Sequence, residues 1–300
     1  MKRAVSISLG SSKRNKAVEV NLLGETVRIE RIGSDGDMEK AAQLYKELDG
    51  QVDAFGVGGA DLGAMVDDKW YPLYSVNKMV RFVQKTPIVD GTGLKNTLET
   101  RAAPYLDQHL ASEQLLPRRA FIPLGVDRWG MSKSFLDAGY ECIFADLLFG
   151  LGVPIVVHTA NQLKTLAALL MPIAGRLPFE WVYPTGKKQE ERKPKGVQYY
   201  RWATVIAGDC HYVRRHMPER MDGKIIVTNT TTPEDVAEFK AAGVKYLLTT
   251  TPVLDGRSFG TNMMEAALIA ISGKGRVLTR EELSEMLNLL HFEPALQELN

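Results

Sequence analysis

The sequence has few cysteines and lacks a long apolar run. Only two cysteines, Cys142 and Cys210, occur among 300 residues, which is too few for a disulfide framework and normal in a reducing compartment. The longest apolar stretches, 147–157 and 166–174, contain Gly or Pro and fall short of the ~20 residues of a membrane-spanning helix. Residues 4–9, which follow Met1-Lys2-Arg3, lack the apolar length of a signal peptide. We therefore expect a cytoplasmic protein with no membrane partner.

An excess of charge of one sign is also absent. The chain has 37 Lys and Arg against 36 Asp and Glu, a formal net charge of +1. No whole-protein field would attract nucleic acid, and no basic face with interleaved aromatic residues supports such a partner. A small-molecule substrate is the expected partner, and a homodimer is compatible with the sequence.

The length and the strand pattern predict two α/β lobes. A chain of 300 residues favours two domains, since domains average about 150 residues. From Arg118, apolar strands alternate with amphipathic helices, which indicates parallel strands joined by right-handed crossovers. The predicted strands are 120–124, 141–145, 204–207, 224–228 and 245–249; the predicted helices are 130–138, 159–170, 211–217, 233–242 and 262–271. The fold class expected for this lobe is a Rossmann-like, doubly wound parallel sheet.

The first lobe opens with three β-rich segments, 4–9, 17–23 and 26–32, whose alternation predicts a meander with one solvated face. A helix at 37–48, a strand at 52–57, a helix from Ser75 to Gln84, a strand at 86–89 and a long helix at 92–109 follow. The predicted organisation is a substrate lobe (1–115), a nucleotide-binding lobe (116–275) and a C-terminal part (276–300) whose helix returns toward the first lobe.

The glycine turn from Gly125 to Gly130 is the strongest candidate for a nucleotide site. It lies between a strand and a helix, and Asp146 ends the next strand, about 20 residues on, as a dinucleotide site requires. The turn reads G-x-x-x-x-G, and Asp127 places a negative charge where pyrophosphate would bind, whereas Arg128 offsets it. A structural strand-to-helix turn is the alternative. Asp146 favours NAD over NADP because an acid repels a 2′-phosphate.

The segment Asp90-Gly91-Thr92-Gly93 places an acid at the end of a strand, with Lys95 in the first turn of the next helix. A cation is disfavoured at a helix N-terminus, so Lys95 points to a nearby anion such as Asp90. An Asp/Lys pair can hold a hydroxyl substrate, with Thr92 and Asn96 as further contacts, and move its proton. Alternatively, Asp90 only caps the helix and Lys95 is solvated.

The same segment, together with Leu98, resembles the N-T-D-G-x-G…L motif of the shikimate and quinate dehydrogenase family. The resemblance implies a substrate lobe before a Rossmann lobe, NAD or NADP as cofactor, and Asp90 as the acid at the substrate hydroxyl. The family's lysine motif, N-x-T-x-P-x-K, has no clear match, and Lys78 and Lys95 are the nearby candidates. The implied function is an NAD(P)-dependent oxidoreductase that acts on a hydroxyl group of a small hydroxylated carboxylic acid.

Further candidates follow other strands. Asp209 and His211 are an acid/base pair or, alternatively, a helix cap beside an ordinary histidine; Asn229 and Thr230 are positioned to contact a nicotinamide ribose or a substrate. Arg257 is a candidate carboxylate clamp or a surface arginine. No metal site is predicted. The glycine cluster 56–63, with Gly58 and Gly59, either lines a substrate cleft or forms a tight turn.

Two other functions stay open. A binding or sensing protein with the same fold would hold a nucleotide or a metabolite without turnover. An actin-like kinase is the third reading, with residues 7–12 as its phosphate loop, although Ser8 stands where that fold needs an acid. The charged segment 184–196 is interpreted as a solvated loop.

Overall fold

A computed structural model describes residues 1–179, 192–251, 253–254, 257–258 and 260–300. The described residues form two units, each assembled from separated stretches of chain. The first unit contains residues 1–97, 254–292 and the described part of 170–183; the second contains 98–169, 293–300 and the described part of 184–253. This division differs from the predicted one, because residues 98–115 belong to the second unit and the described residues of 254–275 belong to the first.

The strands in chain order are β1 (Lys2–Ser8), β2 (Lys16–Leu22), β3 (Glu25–Gly33), β4 (Ala54–Gly58), β5 (Gly63–Val66), β6 (Lys69–Pro72), β7 (Ile88–Val89), β8 (Arg119–Ile122), β9 (Glu141–Phe144), β10 (Val205–Ala207), β11 (Ile225–Thr228), β12 (Tyr246–Thr249), β13 (Val253–Leu254), β14 (Arg257–Ser258) and β15 (Ala295–Glu298).

The helices in chain order are α1 (Met38–Leu48), α2 (Tyr74–Asn77), α3 (Thr92–Glu99), α4 (Ala102–His109), α5 (Trp129–Asp137), α6 (Ala160–Ala174), α7 (Val197–Trp202), α8 (Cys210–His216), α9 (Pro233–Ala241), α10 (Thr261–Ser272) and α11 (Arg280–Leu289). Short 3₁₀ turns cover Ser12–Arg14, Lys78–Val80 and Ser112–Leu115, and a π-turn covers Leu147–Leu151. Among the described helices, none combines the length and the apolar character needed to cross a bilayer.

The first unit is built on a five-stranded sheet in the order β2-β3-β1-β4-β7. β1 pairs in parallel with β3 and β4, β4 pairs in parallel with β7, and only β2 runs antiparallel to its neighbour. Val5 and Ile7 of β1 pack in one cluster with Tyr45 of α1, whereas α10 lies against β1, β3 and β4. The predicted meander is therefore wrong.

The error has a physical cause in the serines of β1. Ser6 and Ser8 look like the solvated half of an alternating strand, but both are buried. Ser6 Oγ accepts a hydrogen bond of 2.7 Å from the Asn262 amide of α10, so its polar group is satisfied inside the unit. A central strand with small, hydrogen-bonded serines is thus indistinguishable by pattern from an edge strand.

The long helix predicted at 92–109 is two helices, because Pro104 interrupts it. Proline has no N–H for the carbonyl four residues earlier and clashes with it. The carbonyl oxygen of Thr100 instead accepts from Ser134 Oγ at 2.9 Å, and Ala103 N–H donates to the same hydroxyl at 3.0 Å. The helix predicted from Ser75 to Gln84 is likewise shorter, since α2 ends at Asn77 and passes into a 3₁₀ turn.

The second unit has a six-stranded sheet in the order β15-β12-β11-β10-β8-β9. Its first five strands in chain order are parallel and form the arrangement 2-1-3-4-5, and β15 is antiparallel to β12. All five predicted strands are present, so the expected α/β class with a Rossmann-like doubly wound sheet is confirmed. The helix predicted at 262–271 exists as α10 but belongs to the first unit.

Candidate functional site

A cavity of about 510 Å³ lies in the first unit, where β7 ends and α3 begins. Its polar lining is mostly acidic: the ionisable residues in the wall are Asp67, Asp68, Asp90, Glu265, Arg280 and Glu281. Five carboxyl groups against one guanidinium make this a site that favours neutral or cationic groups over anions.

Asp90 connects two loops at the wall of the cavity. Its Oδ2 accepts a hydrogen bond of 2.6 Å from Leu62 N–H, and its Oδ1 accepts one of 2.8 Å from Thr92 N–H. The side chain is largely buried. Asp90 therefore fixes the start of α3, as the capping interpretation predicts, while it also lines the cavity.

Glu265 is the more unusual group of the cavity. It lies on α10, is 1% exposed, and its Oε2 accepts from Leu94 N–H at 3.1 Å. Burial raises the pKa of Glu265 to about 8, and the charge of Asp90 acts in the same direction, whereas the N–H groups of Leu94 and Gly93 lower it. At neutral pH this side chain is mainly a protonated carboxylic acid.

Sequence reasoning missed Glu265 because α10 was assigned to the other lobe. A signal was nevertheless present: Glu265 is a single charged residue within the apolar run Met263-Met264-Glu265-Ala266-Ala267-Leu268. An acid at such a buried position keeps its charge only with strong compensation, so it is either protonated or functional.

The cavity brings together three of the predicted residues, Asp90, Thr92 and Asn96. Gly58 and Gly59 lie instead beside the loop after β1, where an added Cβ would approach Ser8 and Leu9, respectively.

The two candidate lysines do not line the described cavity wall. Lys78 is exposed in a 3₁₀ turn, and Lys95 is half-buried on α3. A catalytic role for either lysine stays a prediction.

The Gly125 turn of the second unit binds a carboxylate of its own chain. Asp146 Oδ2 accepts from Gly125 N–H at 3.0 Å, and Asp146 Oδ1 accepts from Val126 N–H at 2.9 Å. Burial raises the pKa of Asp146 to about 6, although these two N–H groups lower it. The backbone donors that pyrophosphate would need are thus already used in this arrangement.

The side chain of Arg128 likewise binds carboxylates of its own chain. Its buried guanidinium contacts Glu99 at 2.7 Å, Asp209 at 2.9 Å and Asp127 at 3.1 Å. Burial opposes the charge, but the three carboxylates outweigh it and raise the pKa of Arg128 above its ordinary value. The cluster lies where β8 and β10 end, the position at which this strand order opens a crevice.

Asp209 is also the N-cap of α8, since its Oδ1 accepts from Tyr212 N–H at 3.2 Å. Asn229 donates to Asp209 Oδ2 at 3.1 Å and accepts from Cys210 N–H at 3.2 Å. His211, in contrast, is exposed. The structure thus joins Asp209 to Asn229 and Arg128 through hydrogen bonds.

The remaining predicted residues are dispersed. Gly130 lies within α5, Thr230 is exposed, and the side chain of Arg257 lies outside the described residues. The described part of the chain contains no group of three or more His, Cys, Asp or Glu side chains arranged to hold a metal ion.

A dinucleotide does not fit the Gly125 turn as it is arranged here. Its pyrophosphate would compete with Asp146 for the N–H groups of Gly125 and Val126, and a phosphate on Arg128 would compete with three carboxylates. Nucleotide binding at this turn therefore requires that Asp146 first leave it, and the cofactor stays a prediction.

Comparison with known families assigns the chain to a family whose function is not described. Residues 93–299, more than half of the chain, match the family described as "Domain of unknown function (DUF8754)". The chain belongs to this family. Residues 3–90 match a second family, "Domain of unknown function (DUF8753)". The two matches meet in the segment that follows Asp90. No curated protein matches the sequence.

Several solved structures are similar at low identity. A putative malic enzyme (malate oxidoreductase) has 14% identity and a TM-score of 0.37, over 87% of this chain and 65% of that one. The NAD-dependent malic enzyme of Thermotoga maritima has 12% identity and a TM-score of 0.37, over 94% and 75%. The malic enzyme of Entamoeba histolytica has 11% identity and a TM-score of 0.41, over 95% and 61%. The chain thus spans less than two thirds of the first and the third; similarities at this level carry no argument about activity.

Proposed function

We propose that the first unit binds a small hydroxylated molecule in the cavity beside Asp90 and moves a proton at that molecule through Glu265. One observation carries the proposal: a carboxyl group that is 1% exposed, with a pKa of about 8, belongs to the wall of a cavity of about 510 Å³. Pockets for small ligands usually measure about 300–1,000 Å³.

The surroundings of Glu265 suit proton transfer near neutral pH. A general acid or base works best when its pKa lies close to the working pH. The N–H groups of Gly93 and Leu94 face the carboxyl group, so they would stabilise the carboxylate that forms when the proton leaves. Asp90, fixed by two backbone N–H groups, is the second carboxyl group that a hydroxyl of the ligand would meet.

The charge of the wall bears on the class of ligand. Arg280 is the single basic residue among the described lining residues, against four other acidic ones besides Glu265, which is mainly protonated at neutral pH. A carboxylate such as quinate would be repelled everywhere except near Arg280. Our proposal therefore favours a neutral polyol or an amine over the hydroxylated carboxylic acid suggested by the family resemblance.

An NAD(P)-dependent oxidoreductase is the second candidate, favoured by the 2-1-3-4-5 strand order of the second unit. In this candidate the second unit would hold the nucleotide, which would supply hydride-transfer chemistry when bound. This candidate requires that the Asp146 side chain release the N–H groups of Gly125 and Val126. A binding or sensing protein without turnover is the third candidate, and it needs only the cavity.

The test is calorimetric titration of the full chain with inositol, glycerol, quinate and shikimate, each with and without NAD, NADP and their reduced forms. We expect saturable binding of a neutral polyol, weakened in Asp90→Asn and retained in Glu265→Gln. Any turnover should disappear in both variants, while Asp90→Asn leaves nucleotide binding intact. Glu285→Gln, an exposed position on α11, is the matched control.

Each result separates the candidates. Polyol binding that is equal in wild type and Asp90→Asn would contradict the site. Tighter binding of quinate or shikimate would contradict the ligand class and restore the carboxylic acid. Saturable NAD or NADP binding would support the oxidoreductase, whereas polyol binding without nucleotide and without turnover would support the sensor.

A further inference from the structure

A second cluster of functional groups lies at the loop after β1, Leu9-Gly10-Ser11-Ser12, which we call the Gly10 loop. These groups are not part of the cavity wall described above. The backbone of this loop rests on Gly33 at the end of β3, where an added Cβ would lie 2.6 Å from Gly10 O. Ser34 N–H donates to Ser8 O at 2.8 Å, and Asp35 N–H donates to Gly10 O at 3.2 Å. The loop is therefore fixed against the carboxyl ends of β1 and β3.

Two arginines converge over Gly10. A Cβ at this position would lie 2.6 Å from Arg14 Nη2 and 2.8 Å from Arg31 Nη2. Arg31 is held in place, because its Nη1 donates to Ser11 O at 3.0 Å and its Nη2 to Ser8 Oγ at 3.1 Å. Glycine at position 10 thus leaves room for both guanidinium groups.

The charges of these two arginines are not balanced by ion pairs. Among the described residues, neither Arg14 nor Arg31 has a carboxylate within salt-bridge distance, whereas Arg28 on the same strand pairs with Glu19 and Glu30. Burial lowers the pKa of Arg31, and the charge of Arg14 lowers it further. Two like charges held together in this way are unfavourable unless they share an anion.

Asp35 is the carboxylate that is hydrogen-bonded to this loop, and its partners are groups other than the two arginines. Asp35 accepts from Ser12 N–H at 2.7 Å and lies 3.7 Å from the ammonium of Lys40. A hydroxyl group is also available next to β3: Ser34 Oγ is buried and has no hydrogen-bond partner within the described part of the chain.

We propose that the Gly10 loop is a binding site for a phosphate group, held between the guanidinium groups of Arg14 and Arg31. Arginine is suited to this role because its planar fork of N–H donors matches the oxygens of a phosphate. The loop also lies at the end of the sheet where ligands of such folds bind. The parallel strands lie in the order β3-β1-β4-β7, the loop follows the carboxyl end of β1, and open parallel sheets bind ligands outside the carboxyl ends of their strands.

The experiment is a titration of the full chain, in chloride buffer, with inorganic phosphate and with glycerol 3-phosphate. We expect saturable binding by calorimetry and a loss of about tenfold or more in affinity in Arg14→Gln and in Arg31→Gln, as expected when a charge-assisted hydrogen bond is removed. Gly10→Ala should weaken binding as well, since its methyl group takes the point where the guanidinium groups converge. Arg28→Gln, on the same strand but paired with carboxylates, is the matched control, and circular dichroism checks that each variant is folded.

The outcomes are distinct from those of the cavity. Saturable binding that is tighter for glycerol 3-phosphate than for phosphate supports the site and assigns it to a phosphorylated metabolite; equal affinities support it for free phosphate. The proposal is overturned if wild type shows no saturable binding at millimolar concentrations, if Arg31→Gln binds as tightly as wild type, or if Arg28→Gln loses as much affinity as Arg31→Gln.

Discussion

Replacing Glu265 by glutamine should remove a pH-dependent loss of stability from the first unit. Glutamine has nearly the shape of the protonated carboxyl group, and its amide oxygen can still accept from Leu94 N–H. The pKa of Glu265 is about 8 in the folded chain, against an ordinary value of 4.5. The variant isolates the ionisation of one buried group while it leaves the packing of α10 intact.

The sign and the size follow from the two pKa values. Below pH 4.5 the side chain is protonated in both the folded and the unfolded chain, so it adds no pH dependence. Between pH 4.5 and about 8 the unfolded chain loses this proton while the folded chain keeps it. Stability therefore falls, by up to about 1.4 kcal/mol per pH unit. Over this window the loss approaches about 5 kcal/mol as an upper limit, and it is constant at higher pH.

The assay is chemical denaturation of wild type and Glu265→Gln at pH 5, 7 and 9, followed by circular dichroism, with Glu285→Gln as control. We expect the variant to become progressively more stable than wild type as the pH rises, and the control to follow wild type. A difference in free energy of unfolding that is the same at all three pH values would refute the raised pKa and, with it, the proposed role of Glu265 in proton transfer.

Three further perturbations test the other parts of the structure by denaturation. Arg128→Ala should lower the free energy of unfolding by about 3–5 kcal/mol, because it leaves the buried carboxylate of Glu99 without its cation. Arg119→Ala, which breaks an exposed pair, should lower it by less than about 1 kcal/mol, and equal losses would contradict the role of the buried pair. Asp146→Ala should lower the free energy of unfolding by about 1–3 kcal/mol, because the N–H groups of the Gly125 turn lose their acceptor. If the oxidoreductase candidate holds, this variant should also bind ADP more tightly than wild type by calorimetry. Absence of both effects would contradict the described geometry of the turn. Gly91→Ala should destabilise the first unit much more than Gly24→Ala. The angle φ is positive at both positions, but only at Gly91 would the new Cβ meet backbone, 2.4 Å from the nitrogen of Asn262. Similar losses of stability in the two variants would show that this close approach is unimportant.

The sheet of the second unit was predictable because its strands are buried on both faces. Parallel strands of this kind read as short, continuous apolar runs between helices, and Ile225–Thr228 is typical, with all four residues buried. β15 escaped the prediction for the opposite reason. It is a mostly exposed edge strand, Ala295–Glu298, and its place beside β12 depends on antiparallel pairing that no local pattern reveals.

Of the two carboxyl groups to which we assign a role in the cavity, only Asp90 could be predicted from the sequence. Asp90 stands at a strand end and next to glycine, so its position could be inferred from local sequence. Glu265 comes from a helix far along the chain, and a single sequence contains no signal for which sheet that helix covers. Asp90 and Glu265 share one cavity wall because α10 packs against β1 and β4.

The Gly125 turn shows why correct spacing does not by itself establish a nucleotide site. A nucleotide site and a self-satisfied turn both need a glycine after the first strand and an acid at the end of the second. In the first case the acid accepts from a ribose and leaves the backbone N–H groups to phosphate. Here Asp146 accepts from Gly125 and Val126 themselves, and Arg128 is surrounded by Glu99, Asp127 and Asp209. The sequence difference lies in the third position of the fingerprint, where Asp127 replaces a glycine: this acid helps to hold the arginine, and a cation held in this way is no longer available to a ligand.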